Sequence, residues 1–408
     1  MNIRYTANIM SIQVVLLFVL IFAANTVFAQ PSLLLFNNFQ QQIRLTPDES
    51  GWHHLIGESE TRFKLTNRLI IKTIPEMDKS KLSVAIRSVE KITELYRMRD
   101  GTYYLLTIAK DRLLQEELER IGGMPFVLSI QPDLLQKQHQ ATLSFAGSVV
   151  GTFLSEIRAP ELWLKSKGKG VRIAIIDDGF DLNHIDLKGT NVIFSYDVDT
   201  QTLTSTPKNS LDTHGTKVTG VIFARHNGEG LDGIAPEAGL IAIRSTDSWT
   251  SNLLLSFYLA KLNKADVINC SWTSEYLLEP VADVIGDLTE NGRKGKGAAV
   301  VFAAGNQGVE LKPRESEAGL PGVVSVGASS IRGKRMKFSN YGPLVDLYAP
   351  GMRIPTTLPG DQYGVFSGTS AAAPIVSGLI ALKLSVNPDL TIKQIEGDLI
   401  DRFEKRVQ

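Results

Sequence analysis

Five side chains with chemical potential lie where predicted strands end or predicted helices begin. Asp177, Ser271 and Asn306 follow apolar strands, whereas His214 and Ser370 precede apolar helical stretches. In open parallel sheets, ligands collect at the edge where the carboxyl ends of the strands meet the helices that follow them. The five side chains are therefore predicted to share one site.

The segment around Ser370 is typical of a nucleophile at a helix start. Gly368 allows a tight turn, and Pro374 is placed in the first turn, where its missing N–H costs little. Free N–H groups at a helix N-terminus favour an oxyanion. A serine needs an adjacent base, and His214 can take up a proton and return it near neutral pH. Asp177 can hold the other ring nitrogen.

Asp177, His214 and Ser370 follow one another in the order found in the subtilisin-like serine proteases, and four segments of the sequence resemble motifs of that family. The resemblance extends from about Gly151 to the C-terminus. Four motifs carry it: Ile175-Ile176-Asp177-Asp178-Gly179, His214-Gly215-Thr216-Lys217-Val218-Thr219-Gly220, Ala303-Ala304-Gly305-Asn306 and Gly368-Thr369-Ser370-Ala371-Ala372-Ala373-Pro374. A fifth match is Phe338-Ser339-Asn340-Tyr341-Gly342, followed by Ala349-Pro350-Gly351.

The resemblance implies an endopeptidase that acts on proteins or peptides through an acyl-enzyme intermediate. Ser370 would be the nucleophile, His214 the base and then the acid, and Asp177 the group that orients the histidine. The side chain of Asn306 and the backbone N–H of Ser370 would form the oxyanion hole. No cofactor or catalytic metal is expected, and a structural calcium ion has no assignable position in the sequence. We expect a monomer.

The resemblance also implies a substrate-binding strand, Ser271-Trp272-Thr273, that pairs with the peptide backbone. Thr273 replaces a glycine of the family and is expected to narrow the P1 pocket, whereas Trp272 is expected beside a more distal subsite. An alternative is that the loop simply shifts.

Two further departures concern the histidine. Asp178 stands where the family usually has Ser or Thr, and we expect it to point away from the histidine, because side chains alternate in an extended chain. Lys217 replaces a second histidine of the family and lies outside the proposed triad.

Alternating apolar strands and helical stretches after residue 150 predict an α/β fold. The segments Val171–Ile176, Leu240–Ile243, Asp266–Cys270, Ala298–Ala304 and Val323–Val326 are the predicted strands. Near-continuous apolar runs indicate strands buried on both faces of a parallel sheet. We expect a subtilisin-like, doubly wound, mostly parallel sheet in a catalytic domain of residues 146–408.

Residues 67–145 are predicted to form a small α+β domain of β-α-β-β-α-β order, the ferredoxin-like plan. Its helices are expected at Ser80–Lys91 and after Asp111, the second ending where Gly122-Gly123 adopts positive φ, and Asp133–Gly151 is read as a polar linker. The domain resembles, less sharply, the family's inhibitory propeptide, which the enzyme itself removes. Residues 30–66 show no clear period and no assignable role.

Residues 1–29 have the pattern of a signal peptide. Arg4 precedes an apolar run from Val14 to Ala24, and Val27-Phe28-Ala29 offers a cleavage site before Gln30. An uncleaved N-terminal anchor is the alternative. Equal totals of 43 basic and 43 acidic residues argue against a nucleic-acid partner. With one cysteine, Cys270, the chain forms no internal disulfide. We therefore expect a secreted enzyme, extracellular or periplasmic.

Two other functions share these motifs. One is a protein that binds peptides without cutting them, which would retain the fold but lack turnover. The other is a maturation enzyme with one dedicated precursor, which would use the same chemistry on a narrow substrate set.

Overall fold

The computed structural model describes residues 33–57, 61–110, 112–140 and 153–404. The predicted signal peptide, Asp111 and the segment 141–152 lie outside the described residues. Two large sheets organise the described chain, one formed before residue 140 and one after residue 170.

The N-terminal unit is an antiparallel sheet carrying two helices. Its elements are β1 (Leu34–Asn38), β2 (Gln41–Pro47), β3 (His53–Leu55), β4 (Arg62–Thr73), α1 (Lys79–Ala85), β5 (Val89–Arg97), β6 (Thr102–Ile108), α2 (Leu114–Gly122), β7 (Val127–Leu135) and β8 (Gln138–Gln140). The strand order is β1-β2-β3-β4-β6-β5, with β7 also paired to β4. The predicted β-α-β-β-α-β plan is therefore present from β4 to β7.

The structure of this unit contradicts the predicted domain boundary at residue 66. It also contradicts the separation of residues 30–66 as a leader outside the domain. Three strands precede β4, and β4 itself runs through residue 66. The leader turns tightly at Phe39 and Gln40, whose φ angles are 49° and 65°. Its strands are short and β2 is largely polar, so the hydrophobic alternation that reveals a strand is weak.

The predicted ends of the two helices also need correction. The first helix is capped by Asp78, which accepts the Lys81 N–H at 2.9 Å, and it ends at Ala85 rather than Lys91. Gly123 follows the second helix with φ of −79°, so positive φ is not what ends it.

The predicted linker begins too early, because β7 continues to Leu135 and buries Asp133. The Asp133 carboxylate contacts Arg68 at 2.8 Å and accepts the backbone N–H of Ser251 at 2.9 Å. An ion pair with hydrogen bonds makes such burial tolerable. A polar residue read as a loop signal is thus part of a buried contact.

The C-terminal unit is the predicted α/β fold. Its elements are α3 (Phe153–Glu156), α4 (Ala159–Trp163), β9 (Arg172–Asp177), β10 (Asn191–Asp197), α5 (His214–Phe223), β11 (Gly239–Arg244), α6 (Thr250–Leu262), β12 (Val267–Cys270), β13 (Trp272–Ser274), α7 (Glu279–Gly295), β14 (Ala299–Ala303), β15 (Val324–Ser329), β16 (Leu347–Pro350), β17 (Ile354–Leu358), β18 (Gln362–Phe366), α8 (Thr369–Val386) and α9 (Ile392–Glu404). Seven strands form a parallel sheet in the order β10-β11-β9-β12-β14-β15-β16.

The strand order reverses between β9 and β12, since the chain adds strands first on one side of β9 and then on the other. Helix α8 packs in the core beside β12, β14 and β15. It is long and apolar enough to cross a membrane, but 83% of it is buried inside the protein. In open α/β sheets, sites form outside the strand ends at such a reversal.

The N-terminal unit contacts the C-terminal unit at two helix starts. Neither α6 nor α7 has a side-chain cap from its own N-cap residue. Asp133 accepts the Ser251 N–H at the start of α6, and Asn38 accepts the Glu279 N–H at the start of α7 at 2.7 Å. Side chains from the N-terminal unit therefore satisfy donors that both helices would otherwise leave unpaired.

Candidate active site

The end of β9 and the start of α5 bring Asp177 and His214 together. The His214 Nδ1 lies 2.8 Å from Asp177 Oδ1 and 3.0 Å from Oδ2, and both residues are buried. The Phe366 ring meets the imidazole edge-on at 5.3 Å between centroids. The histidine is therefore fixed on one side by a carboxylate and on another by an aromatic ring.

The electrostatic surroundings of His214 favour its charged form. Burial opposes protonation, but the charge and hydrogen bond of Asp177 and the charge of Asp178 outweigh it, so the pKa of His214 is raised. Lys217 acts in the opposite direction. A proton taken up by His214 is thus stabilised within the site.

Asp178 does not point away from the histidine, so that expectation is wrong. Its Oδ1 accepts the Gly215 N–H at 2.8 Å, and its Oδ2 accepts the His214 N–H at 3.0 Å. Strand β9 ends at Asp177, so strict alternation of side chains no longer applies at Asp178. Burial, together with the charge of Asp177, raises the pKa of Asp178 to about 6.

Ser370 lies at the start of a helix, as predicted: it is the second residue of α8, whose N-cap is Gly368 with φ of 115°. Its hydroxyl donates to the Ser271 carbonyl at 2.6 Å, while His214 Nε2 has no hydrogen-bond partner among the described residues. The Ser370 hydroxyl is thus bound to the residue between β12 and β13, and the His214 Nε2 is left without a hydrogen-bond partner among the described residues.

Pro374 is the sixth residue of α8 and not part of its first turn, which corrects the prediction. Proline has no N–H, so the Ser370 carbonyl lacks its usual partner four residues later. The Ser271 hydroxyl takes this place and donates to the Ser370 carbonyl at 3.1 Å. Ser271 and Ser370 therefore hold each other through two reciprocal hydrogen bonds.

Asn306 lies beside the start of α8. Its Oδ1 accepts the Thr369 N–H at 3.0 Å and the Thr369 hydroxyl at 3.1 Å. These bonds fix the amide plane and turn its Nδ2 away from Thr369.

Asn340 supports the loop that carries Asn306, a role the sequence did not reveal although its motif was singled out. Its Oδ1 accepts the N–H groups of Gln307 and Val309, and its Nδ2 donates to the Ala304 carbonyl at 2.9 Å. A Cβ on Gly305, whose φ is 102°, would lie 2.4 Å from Asn340 Nδ2. Only glycine fits between these two segments.

The predicted substrate strand is β13, and residues of the N-terminal unit already pair with it. Strand β8 runs antiparallel to β13, with Gln140 opposite Trp272, His139 opposite Thr273 and Gln138 opposite Ser274. Thr273 lines a cavity of about 310 Å³ together with Ala304. The Trp272 ring instead lies in the core, where its N–H donates to the Ile176 carbonyl at 2.8 Å.

Asp181, His184 and Asp186 follow Asp177 in the sequence, but their side chains do not converge on a common site. His184 contacts the Gln362 carbonyl at 2.9 Å, whereas Asp181 accepts the Gly360 N–H at 2.8 Å and Asp186 accepts the Leu231 N–H at 2.8 Å. Within the described part of the chain, no group of three or more His, Cys, Asp or Glu residues could hold a metal ion.

The fold and this constellation define a serine hydrolase built on a doubly wound, mostly parallel α/β sheet of subtilisin-like topology. The sequence model of the Subtilase family matches residues 168–406, so the chain belongs to the subtilase family. It is accordingly a subtilisin-like serine endopeptidase.

Known relatives agree in sequence and in fold. An intracellular serine protease of Paenibacillus polymyxa is 34% identical over 60% of this chain and 78% of its own length. Subtilisin E of Bacillus subtilis (strain 168) is 32% identical over 70% of this chain and 72% of its own length. The structure of fervidolysin from Fervidobacterium pennivorans, a keratinolytic enzyme related to subtilisin, superposes with a TM-score of 0.67 at 21% identity, covering 86% of this chain and 60% of that one.

The charges around His214 predict a shifted pH profile. We expect kcat/KM to rise with pH as His214 loses its proton, with a midpoint above the ordinary value of 6.5. Asp178→Asn removes a charge that favours the protonated imidazole, so the midpoint should move down. Lys217→Gln should move it up. Profiles recorded on one peptide substrate test this, and equal midpoints in all three enzymes would contradict it.

Proposed function

We propose that Ser370, His214 and Asp177 are the catalytic triad of a secreted, self-processing endopeptidase. The observation that carries this proposal is the convergence of the Asp177–His214 pair, Ser370 and Asn306 at one edge of the parallel sheet. His214 Nε2 is the unpaired acceptor toward which the Ser370 hydroxyl must turn. The chemistry uses protein groups alone.

The proposed reaction divides the work among these groups. His214 takes the hydroxyl proton as Ser370 attacks the substrate carbonyl, and Asp177 stabilises the resulting imidazolium. The proton then passes to the leaving amine. The side chain of Asn306 and the Ser370 N–H at the start of α8 bind the oxyanion, where the helix dipole adds to their effect.

Loss of the nucleophile should abolish turnover. We expect Ser370→Ala to lose about a million-fold in kcat, the loss caused by removing the serine of subtilisin. Labelling with a fluorophosphonate, read by intact mass, should modify the wild type and not Ser370→Ala. Circular dichroism provides the folding control. Hydrolysis by folded Ser370→Ala protein would disprove the triad, and a folded wild type that neither labels nor cleaves would favour the peptide-binding alternative.

Loss of the Asn306 amide should lower kcat with little change in KM, because the amide donates mainly to charge formed in the transition state. We expect Asn306→Ala to lose about a hundred- to a thousand-fold, as in subtilisin when one oxyanion donor is removed. Steady-state kinetics give both parameters. A change confined to KM would assign Asn306 to substrate binding instead.

We further propose that the N-terminal unit is an inhibitory pro-region. Its tail, β8, pairs with β13. Substrates are proposed to pair with the same segment, through Ser271, Trp272 and Thr273. A peptide in this place blocks other substrates, and the caps on α6 and α7 add contacts that hold the unit in place.

The register also suggests where the chain is cut. Gln140, the last described residue of the tail, is opposite Trp272, and the neighbouring Ser271 has its carbonyl against the Ser370 hydroxyl. We infer that the chain is cut after Gln140, in the segment 141–151.

Mass spectrometry of secreted protein tests export and processing together. Wild-type chains in the medium should begin after Gln140, in the segment 141–151, and Ser370→Ala chains should begin at Gln30, because only the signal peptide has been removed. Retention of both proteins inside cells would disprove secretion. Identical processed chains in both would indicate another protease, and no processing in either would argue against the zymogen.

A further inference from the structure

The tip of the hairpin between β1 and β2 lies against the start of α7. The Asn38 side chain donates to the Leu277 carbonyl at 3.1 Å and accepts the Glu279 N–H at 2.7 Å. The Phe39 N–H in turn donates to the Glu279 carboxylate at 3.0 Å. This reciprocal exchange has the pattern of a capping box, but its two halves come from different units of the protein. Asn38 is 3% exposed, so the contact is shielded from water.

A cation from the C-terminal unit covers the aromatic ring of the same tip. The Arg314 guanidinium lies over the Phe39 ring, 5.2 Å from its centroid. A cation within about 6 Å of an aromatic face is attracted by it. Arg314 lies in the loop between β14 and β15, so the hairpin tip contacts two separate segments of the C-terminal unit.

The turn at the tip has a conformation that its residues disfavour. Asn38 pairs with Gln41, so Phe39 and Gln40 form a two-residue loop, and their φ angles are 49° and 65°. Such loops usually carry Asn-Gly, because glycine adopts positive φ without steric cost, whereas a bulky residue is strained there. Strain of this kind persists only where surrounding contacts fix the conformation. The contacts of Phe39 with the C-terminal unit do so here, which indicates that the turn is shaped to fit that unit.

The hairpin is also held by the rest of the N-terminal unit. Gln131 of β7 donates to the Asn37 carbonyl at 2.8 Å and to Asn38 Oδ1 at 3.2 Å. Phe36 and Leu45 are buried in the hydrophobic core that includes this unit. A force on the tip is therefore transmitted to the whole unit.

We propose that the start of α7 and Arg314 form a docking site for this hairpin tip, so that the leader holds the N-terminal unit on the enzyme independently of the tail. The inference rests on the proposed function. Strand β8 pairs with residues 272–274, so a cut after Gln140 breaks no contact of Asn38 or Phe39. The strength of the hairpin contact then determines how long the cut fragment stays bound and inhibitory.

A time course on the full-length chain tests the docking site. Mass spectrometry follows the cut, gel filtration follows release of the cut fragment, and peptide hydrolysis follows the onset of activity. We expect Asn38→Ala to be cut at the wild-type rate, which also shows that it folds. Its delay between cut and activity should shorten about tenfold, because the variant loses two hydrogen bonds and leaves a shielded N–H unpaired.

Two further variants sharpen the test. Asn37→Ala is the matched control, because this neighbouring asparagine has an exposed side chain, and its delay should equal that of the wild type. Arg314→Met changes only the C-terminal unit and should shorten the delay about threefold, as expected for loss of one cation–π contact. Each delay is measured against the final rate of the same enzyme, so an effect of the substitution on catalysis cancels.

Three results would count against these proposals. Activity that appears together with the cut in the wild type would overturn the docking site while leaving the protease intact. Equal delays in wild type, Asn38→Ala and Arg314→Met would overturn it as well, and if Asn38→Ala is not cut, the delay of Arg314→Met alone decides. A wild type that is never cut would contradict the proposed function instead.

Discussion

The site depends on one histidine that two consecutive carboxylates hold at two different points. Asp177 binds the imidazole, and Asp178 binds the backbone N–H groups of His214 and Gly215. Both carboxylates belong to residues at the same end of β9. The His214 ring and the start of helix α5 are therefore held in place by one strand of the central sheet. The position of His214 relative to Ser370 therefore depends on the packing of β9 between β11 and β12.

Two adjacent buried acids would be unfavourable without compensation. Each carboxylate has its own partner: Asp177 binds the His214 ring, and Asp178 binds N–H groups at the start of α5. The N-cap residue of α5, Thr213, provides no side-chain cap, and Asp178 supplies the missing acceptor at the positive end of that helix. Both Asp178 oxygens accept N–H groups of this helix, and Oδ2 also accepts a hydrogen bond from the Gln140 side chain at 3.1 Å. The same group thus positions His214 and contacts the tail of the N-terminal unit.

Sequence reasoning located the chemistry better than the contacts around it. Apolar runs ending at Ile176 and Cys270 reveal strands because burial on both faces leaves a continuous signal. Strand β10 was not predicted, because it lies at the edge of the sheet and three of its seven residues are exposed. Asp178 was misjudged because alternation holds only while the strand continues. Asn340 gave no signal of its role, which depends on a neighbouring loop 30 or more residues away.

Pro374 shows why such contacts escape one-dimensional rules. A proline within a helix removes one hydrogen bond, and its cost depends on whether the freed carbonyl finds another donor. Here the freed carbonyl belongs to Ser370 and the donor is Ser271, which in turn accepts the Ser370 hydroxyl. Asn269 donates to the Ser271 hydroxyl at 2.9 Å, and the Ser377 hydroxyl donates to Asn269 at 2.9 Å, so the hydroxyls of Ser370, Ser271 and Ser377 are all paired within one series of hydrogen bonds. The apparent defect in α8 therefore ties Ser370 to the segment between β12 and β13 through two hydrogen bonds.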